Sequence, residues 1–162
     1  MDEDMLEAAR EYAEKHGLIV GEPLGSGIHG SVWMLLRETT PVSALKIHGH
    51  IDAYRRERDV YLRLKERSVC QVCGLAVPQL IRFNDALTAL EMTIVSPPRI
   101  LDFGADHLDW PPEFSDEIWA EWTRKNEEQF GDDWPMVRVI LDDFEDMGIH
   151  LLDPSPSNIR FR

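Results

Sequence analysis

The first part of the chain follows a helical pattern. Acidic residues occupy the first turn, where they complement the positive end of the helix dipole, and Gly17 follows as a stop signal. The apolar positions that share one face are Met5, Leu6, Ala9, Tyr12 and Ala13. The pattern predicts an amphipathic helix over residues 2–16.

Branched and apolar runs separated by turn signals follow this helix. The runs are typical of strands, and one longer stretch has the three-and-four spacing of a helix. The predicted elements are strands over 18–24, 31–38 and 42–48, a helix over 52–66, and strands over 77–83 and 87–95.

Two prolines within residues 96–100 interrupt the strand pattern and indicate a hinge. Beyond them the pattern is helical. Ser115 is a cap for a helix that Gly131 ends, and Asp133 with Pro135 opens a second helix that Gly148 ends. The pattern therefore predicts a helix, three strands, a helix and two strands up to residue 95, followed by a mainly helical region.

Charge and cysteine content indicate which partners and which cellular compartment to expect. The formal net charge of −13 disfavours nucleic acid and anionic lipid, and no apolar stretch reaches the length of a membrane span. The N-terminal residues do not resemble a signal peptide, and two cysteines cannot staple a secreted chain of this size, so we expect a cytoplasmic protein. Cys70 and Cys73 form a single C-x-x-C, which we interpret as small loop or strand residues, with a redox pair as the alternative.

Residues 25–30 spell G-x-G-x-x-G, which occurs both in dinucleotide-binding folds and in the phosphate-covering turn of kinases. A dinucleotide site needs a helix that begins at Gly30. The residues that follow lack helical periodicity, and position 50 is His where an acidic residue is expected. The pattern favours a strand–turn–strand flap.

Two charged residues occupy apolar surroundings. Lys46 lies at the centre of the strand run "ALKI", where an unpaired ammonium is costly. Glu57 lies on the apolar face of the 52–66 helix. A contact between Lys46 and Glu57 would account for both.

The segment "DPSPSN" presents a carboxylate and an amide from a loop that two prolines stiffen. Asp153 can accept a hydroxyl proton, and the side-chain oxygen of Asn158 can hold a cation such as magnesium. The alternative interpretation is an ordinary Asx-turn loop.

With these elements in order, the chain resembles the protein-kinase-like superfamily, which includes aminoglycoside-phosphotransferase relatives and other atypical kinases. The resemblance covers residues 18–100 and 134–162. The segments that carry it are "LGSGIHGSV", "ALKI", "RRERDVYLRL", "ALEMTIVSPP" and "MGIHLLDPSPSNIRF".

The resemblance implies an α+β fold, with a five-stranded antiparallel lobe over residues 1–95 and a truncated, mainly helical lobe over residues 96–162. It also implies ATP and Mg²⁺ as ligands and assigns roles to residues. It implies that Lys46, oriented by Glu57, binds phosphates, that Asp153 orients or deprotonates the acceptor, and that Asn158, with Asp153, binds magnesium. The residues implied to cover the phosphates or contact adenine are Gly25, Ser26, Gly27, Gly30, Val32, Ala44, Thr93 and Val95.

Departures from the superfamily pattern leave three functions open. Leu151 stands where the superfamily has His. Only four residues follow Asn158, so we expect no D-F-G strand pair, and we expect the "LDFG" at 101–104 to lie outside the metal site. The chain is then a minimal phosphotransferase acting on a protein or small-molecule acceptor, a nucleotide-binding pseudokinase, or an interaction module with an empty cleft.

A shortened helical lobe also raises the question of uncovered apolar surface. Four tryptophans lie in it, at positions 110, 119, 122 and 134. An exposed apolar patch would favour a homodimer or a protein partner. We interpret Trp119 and Trp122, which share a helix face, as core residues of this lobe.

Overall fold

A computed structural model describes residues 3–162. The helices are α1 (Glu3–Lys15), α2 (Ile51–Glu66), α3 (Asp116–Phe130) and α4 (Trp134–Asp146), with a 3₁₀ turn over Gly131–Asp133. The longer strands are β1 (Ile19–Gly27), β2 (Gly30–Arg37), β3 (Thr40–His48), β6 (Leu80–Asn84) and β7 (Ala89–Met92). Two-residue strands complete the fold: β4 (Gln71–Val72), β5 (Leu75–Ala76), β8 (Arg99–Ile100), β9 (His107–Leu108), β10 (Ile149–His150) and β11 (Ile159–Arg160).

The predicted five-stranded antiparallel sheet is confirmed, in the order β1-β2-β3-β7-β6. Helix α1 packs on one face, where Tyr12, Trp33 and Leu45 lie in a small core. The other face contacts α2 and belongs to a larger core that continues into α4 through Phe103 and Phe144. The division into lobes at residue 95 stays a prediction.

The glycine-rich segment forms a hairpin. Gly27 pairs with Gly30 across the turn at the end of β1 and β2, so the strand–turn–strand prediction is confirmed and the dinucleotide alternative is excluded. Gly30 has φ of 155°, and a Cβ there would collide with the Ile47 carbonyl oxygen. A Cβ at Gly25 or Gly27 would meet no atom within 4 Å.

The predicted helical region contains α3 and α4. Ser115 Oγ accepts the N–H of Ile118, and Gly131 terminates α3, as the sequence predicts. Asp133 precedes α4 but makes no side-chain cap. Within residues 3–162, none of the helices combines the length and the apolar character that crossing a bilayer requires.

Short strands bring distant segments together. Strand β8 pairs antiparallel with β11, with Ile100 opposite Ile159, and the N–H of Leu101 donates to the carbonyl of Asn158 at 2.8 Å. The "LDFG" segment therefore begins where the "DPSPSN" loop ends. In this pair, β8 precedes the "DPSPSN" loop in sequence and β11 follows it.

Candidate functional site

Lys46 and Glu57 make the predicted contact, because β3 and α2 both turn these side chains into the larger core. Lys46 Nζ donates to Glu57 Oε2 at 2.7 Å, and the Glu57 side chain is 1 % exposed. Burial raises the pKa of Glu57, but Lys46 and His48 outweigh burial and bring it down to about 2. Glu57 is therefore an anion at neutral pH.

Asp102 is a second partner of Lys46. Lys46 Nζ donates to Asp102 Oδ1 at 2.9 Å. Burial lowers the pKa of Lys46, but the carboxylates of Glu57 and Asp102 more than offset burial and the pKa is raised. The expectation that "LDFG" lies outside the metal site stays a prediction, but the structure brings its Asp into direct contact with the Lys46 ammonium.

Other contacts fix the position of the "LDFG" segment. Arg56 Nε donates to the carbonyl of Gly104 at 3.0 Å. A Cβ at position 104 would lie 3.0 Å from the His29 ring, so the tip of the glycine hairpin rests on this glycine. Asp102 has φ of 62°, in the left-handed region that Asp adopts more readily than most residues. The segment is thus held by the hairpin above and by α2 below.

A small cavity joins this segment to the "DPSPSN" loop. Asp102, Asp106, Asp153 and Asn158 all line it, together with apolar neighbours. Asn158 Nδ2 donates to the Asp153 carbonyl at 3.1 Å, which closes the loop on itself. The two predicted loop residues therefore lie beside the acid that contacts Lys46.

Magnesium at Asp153 and Asn158 stays a prediction. Carboxylate and amide oxygens are its preferred protein ligands, and it usually takes only one or two carboxylates, with phosphate and water oxygens filling the remaining positions. No cluster of three or more acidic, His or Cys side chains arranged to hold a metal occurs among residues 3–162. Asp102, Asp153 and Asn158 would hold the ion only together with phosphate oxygens.

Asp106 is a site residue that the sequence analysis missed. It is 2 % exposed; its Oδ1 accepts the N–H of Leu152 at 2.9 Å, and its Oδ2 has no hydrogen-bond partner among residues 3–162. Burial raises the pKa of Asp106 well above its usual range, and nearby carboxylates, including Asp102 and Asp153, raise it further. Asp106 is a buried acid that favours its protonated form.

The residues implied to contact adenine lie on one face of the sheet with Lys46. Val32 is opposite Lys46 across β2 and β3, and Ala44 is two residues from Lys46 on the same strand. The expected backbone contacts near the hinge are already engaged, since the N–H of Thr93 donates to Gln79 at 2.9 Å and the Val95 carbonyl accepts from Arg99 at 3.2 Å.

Three of the four tryptophans of the helical region line a groove, and Trp134 also belongs to the larger core. The groove has a volume of about 660 Å³, and half-buried Trp119 and Trp122 line it with buried Trp134. Trp122 Nε1 donates to the Leu152 carbonyl at 2.8 Å, next to Asp153. Trp110 is 80 % exposed. The interpretation of Trp119 and Trp122 as core residues is thus only partly correct, and the homodimer stays a prediction.

Cys70 and Cys73 are both free thiols at the surface. The turn of the β4–β5 hairpin contains Cys73, whose Sγ donates to Asp143 Oδ2 at 3.0 Å. This hydrogen bond and partial burial raise the pKa of Cys73 to about 11. Both cysteines lie outside the strands, which fits the interpretation as loop residues, and the raised pKa makes Cys73 a poor nucleophile.

Comparison with known proteins does not assign a family. No protein-family model matches the chain, and no curated protein matches its sequence. The functional interpretation therefore depends on the geometry of the site.

Proposed function

We propose that this chain has a kinase-like fold and binds the triphosphate of ATP, with magnesium, between the glycine hairpin and the "DPSPSN" loop, and that it transfers the terminal phosphoryl group to an acceptor hydroxyl. One observation carries this proposal. Lys46 contacts Glu57 and Asp102 together, and Asp102 shares a cavity with Asp153 and Asn158.

The glycine hairpin supports the phosphate part of the proposal. Gly30 is required by its close approach to β3, whereas Gly25 and Gly27 face open space and have no packing reason to lack a side chain. A glycine without a packing role leaves room for a ligand to approach the backbone N–H groups. The ammonium of Lys46 lies on the sheet face beneath this hairpin and can pair with phosphate oxygens.

The "DPSPSN" loop supports the proposal that the chain transfers a phosphoryl group. In the proposed step, the acceptor oxygen forms a bond to the γ-phosphorus while the bond between that phosphorus and the bridging oxygen breaks. ADP leaves with the electron pair, and the hydroxyl proton passes to the Asp153 carboxylate and then to solvent. Bound magnesium would supply positive charge that stabilises the transferring phosphoryl group. Asp102, placed beside Asn158, would be the carboxylate ligand that the sequence alone did not provide.

Calorimetric titration with Mg²⁺ and ATP tests the proposal. We expect binding by the wild-type chain and loss of more than tenfold in affinity for Lys46→Met, which keeps a similar side-chain length without the charge. Lys125→Met, on the exposed surface of α3, is the matched control and is expected to bind like the wild type. Circular dichroism would verify that each variant is folded. Absence of binding by the wild-type chain at millimolar ATP would refute the proposal and favour an interaction module.

Transfer is tested separately with ATP labelled at the γ-phosphate. We expect label to appear on protein, on a small-molecule hydroxyl or in released phosphate, and Asp153→Asn to abolish that signal even at saturating Mg·ATP. Asp102→Asn is expected to reduce transfer and to weaken the magnesium dependence of binding. Binding without any transfer would select the pseudokinase alternative.

A further inference from the structure

His48 is a buried histidine whose two ring nitrogens both face oxygen acceptors. Nε2 lies 2.6 Å from Glu57 Oε2, and Nδ1 lies 3.2 Å from the backbone carbonyl of Thr88. The His48 side chain is 0 % exposed. A carbonyl oxygen cannot donate a hydrogen bond, and the Glu57 carboxylate accepts from Lys46 at the same oxygen. A neutral imidazole has one N–H and would satisfy only one of these contacts, whereas an imidazolium satisfies both.

The charges around this ring balance if His48 is protonated. Lys46 and His48 then carry two positive charges, and Glu57 and Asp102 carry two negative charges, in one connected set of contacts. A buried charge without a partner is costly, so a set with no net charge is the arrangement that the core tolerates. The Asp102 side chain is 32 % exposed and reaches water, whereas Glu57 is 1 % exposed and depends on Lys46 and His48 for its contacts.

Besides Glu57, the elements around the ring within residues 3–162 are α2, the β6–β7 turn and β3. From α2, the Tyr54 ring meets His48 edge-on at 5.6 Å, and its hydroxyl donates to Asp85 instead. From the β6–β7 turn, the Thr88 hydroxyl donates to the backbone carbonyl of His48 at 2.8 Å. From β3, Lys46 shares Glu57 with the ring. The ring is therefore fixed from three elements and has one ionised partner.

We propose that His48 is a positioning residue, held as an imidazolium, that fixes the Glu57 carboxylate so that Lys46 keeps its ammonium at the floor of the cleft. Glu57 Oε2 is the shared oxygen, and without His48 only Lys46 would restrain it. His48 would act through Glu57 and Lys46 and touch no ligand. Its consequence for nucleotide binding depends on the proposed function; its protonation state and its effect on Lys46 do not.

Two measurements on the free protein test the inference without nucleotide. In ¹⁵N NMR spectra at pH 7, both ring nitrogens of His48 are expected to be protonated. The ammonium protons of Lys46 are expected to exchange slowly in the wild type and at least several times faster in His48→Gln. His50→Gln, an exposed neighbour, is the matched control and is expected to leave the Lys46 signal unchanged. A ring nitrogen without a proton, or unchanged Lys46 exchange in a folded His48→Gln variant, would overturn the inference.

Nucleotide binding provides a second test of the role of His48. If the wild type binds Mg·ATP, His48→Gln is expected to raise its Kd about tenfold, and His50→Gln is expected to leave it unchanged. An unchanged Kd for His48→Gln would contradict the positioning role. If the wild type does not bind Mg·ATP, the proposed function fails, and the two NMR measurements still decide whether His48 positions Lys46 through Glu57.

Discussion

Replacing Glu57 by Gln tests the charge network on which the site depends. Glu57 Oε2 accepts from both Lys46 and His48 in a region almost closed to water. The variant keeps the size of the side chain but removes the carboxylate that Lys46 and His48 share, so that Lys46 keeps Asp102 alone as an anionic partner. Removing one partner from a buried ion pair typically costs about 3–5 kcal/mol.

The pKa of Glu57 provides an independent check of this magnitude. Folding lowers it from the ordinary value of 4.5 to about 2. A shift of that size corresponds to roughly 3 kcal/mol of stability. Because one kilocalorie per mole changes the melting temperature of a domain this long by about 2–4 °C, Glu57→Gln is expected to lower it by roughly 6–12 °C at pH 7.

The pH dependence gives the sign of the effect. A carboxylate whose pKa is lowered by folding contributes its stability above its unfolded pKa, and the contribution is lost as pH falls through the folded value. The difference between wild type and Glu57→Gln should therefore be full at pH 7 and shrink progressively below about pH 4.5. Thermal and urea unfolding followed by circular dichroism would measure it, with Glu66→Gln at the exposed end of α2 as control. A loss below 1 kcal/mol at pH 7 would show that the network contributes little.

Two further predictions concern backbone and burial. Gly30→Ala is expected to destabilise the chain by several kcal/mol, since its Cβ would collide with the Ile47 carbonyl. Gly27→Ala should change the stability by less than about 1 kcal/mol. Chemical denaturation would measure the free energy of unfolding of both variants. Asp106→Asn should raise the melting temperature at pH 7. Folding raises the pKa of Asp106, so this acid destabilises the folded protein increasingly as pH rises above its unfolded pKa. The melting temperatures of the wild type and the variant, measured from pH 4 to pH 8, should therefore converge at the acid end. Equal melting temperatures at pH 7 would mean that Asp106 is not a buried, destabilised acid.

The sequence predicted the elements whose periodicity runs over several residues. Helices α1 and α2 and the five longer strands have enough alternating or three-and-four spaced positions to be recognised, and their observed bounds differ from the predictions by a few residues. The two-residue strands were not predicted, because a pair of residues has no period. Their pairing depends on segments that lie far apart in the chain.

The candidate site residues likewise divide into those with a signal in the sequence and those without one. Lys46 and Glu57 were predictable because each is a charge in an apolar pattern, and each anomaly resolves the other. His48 was missed, although it follows Lys46 by two residues and therefore faces the same side of β3. Asp106 gave no signal in the sequence, since its burial comes from a loop packed beneath Leu152.

Asp102 shows why motif order misled the sequence analysis. In the resemblance, the magnesium-binding acid follows the catalytic loop, so an acid that precedes the loop was expected to lie elsewhere. What places Asp102 beside Asn158 is the antiparallel pairing of β8 with β11 and the hydrogen bond from Leu101 to Asn158, and neither depends on which strand comes first. Two strands can pair whichever of them comes first in the sequence. Asp102 can therefore lie close to Asn158 although it precedes the loop. The proposed chemistry therefore requires that Lys46, Asp102 and the loop lie together, in whatever order they occur in the sequence. In this chain, Lys46 Nζ donates to Asp102 Oδ1 at 2.9 Å.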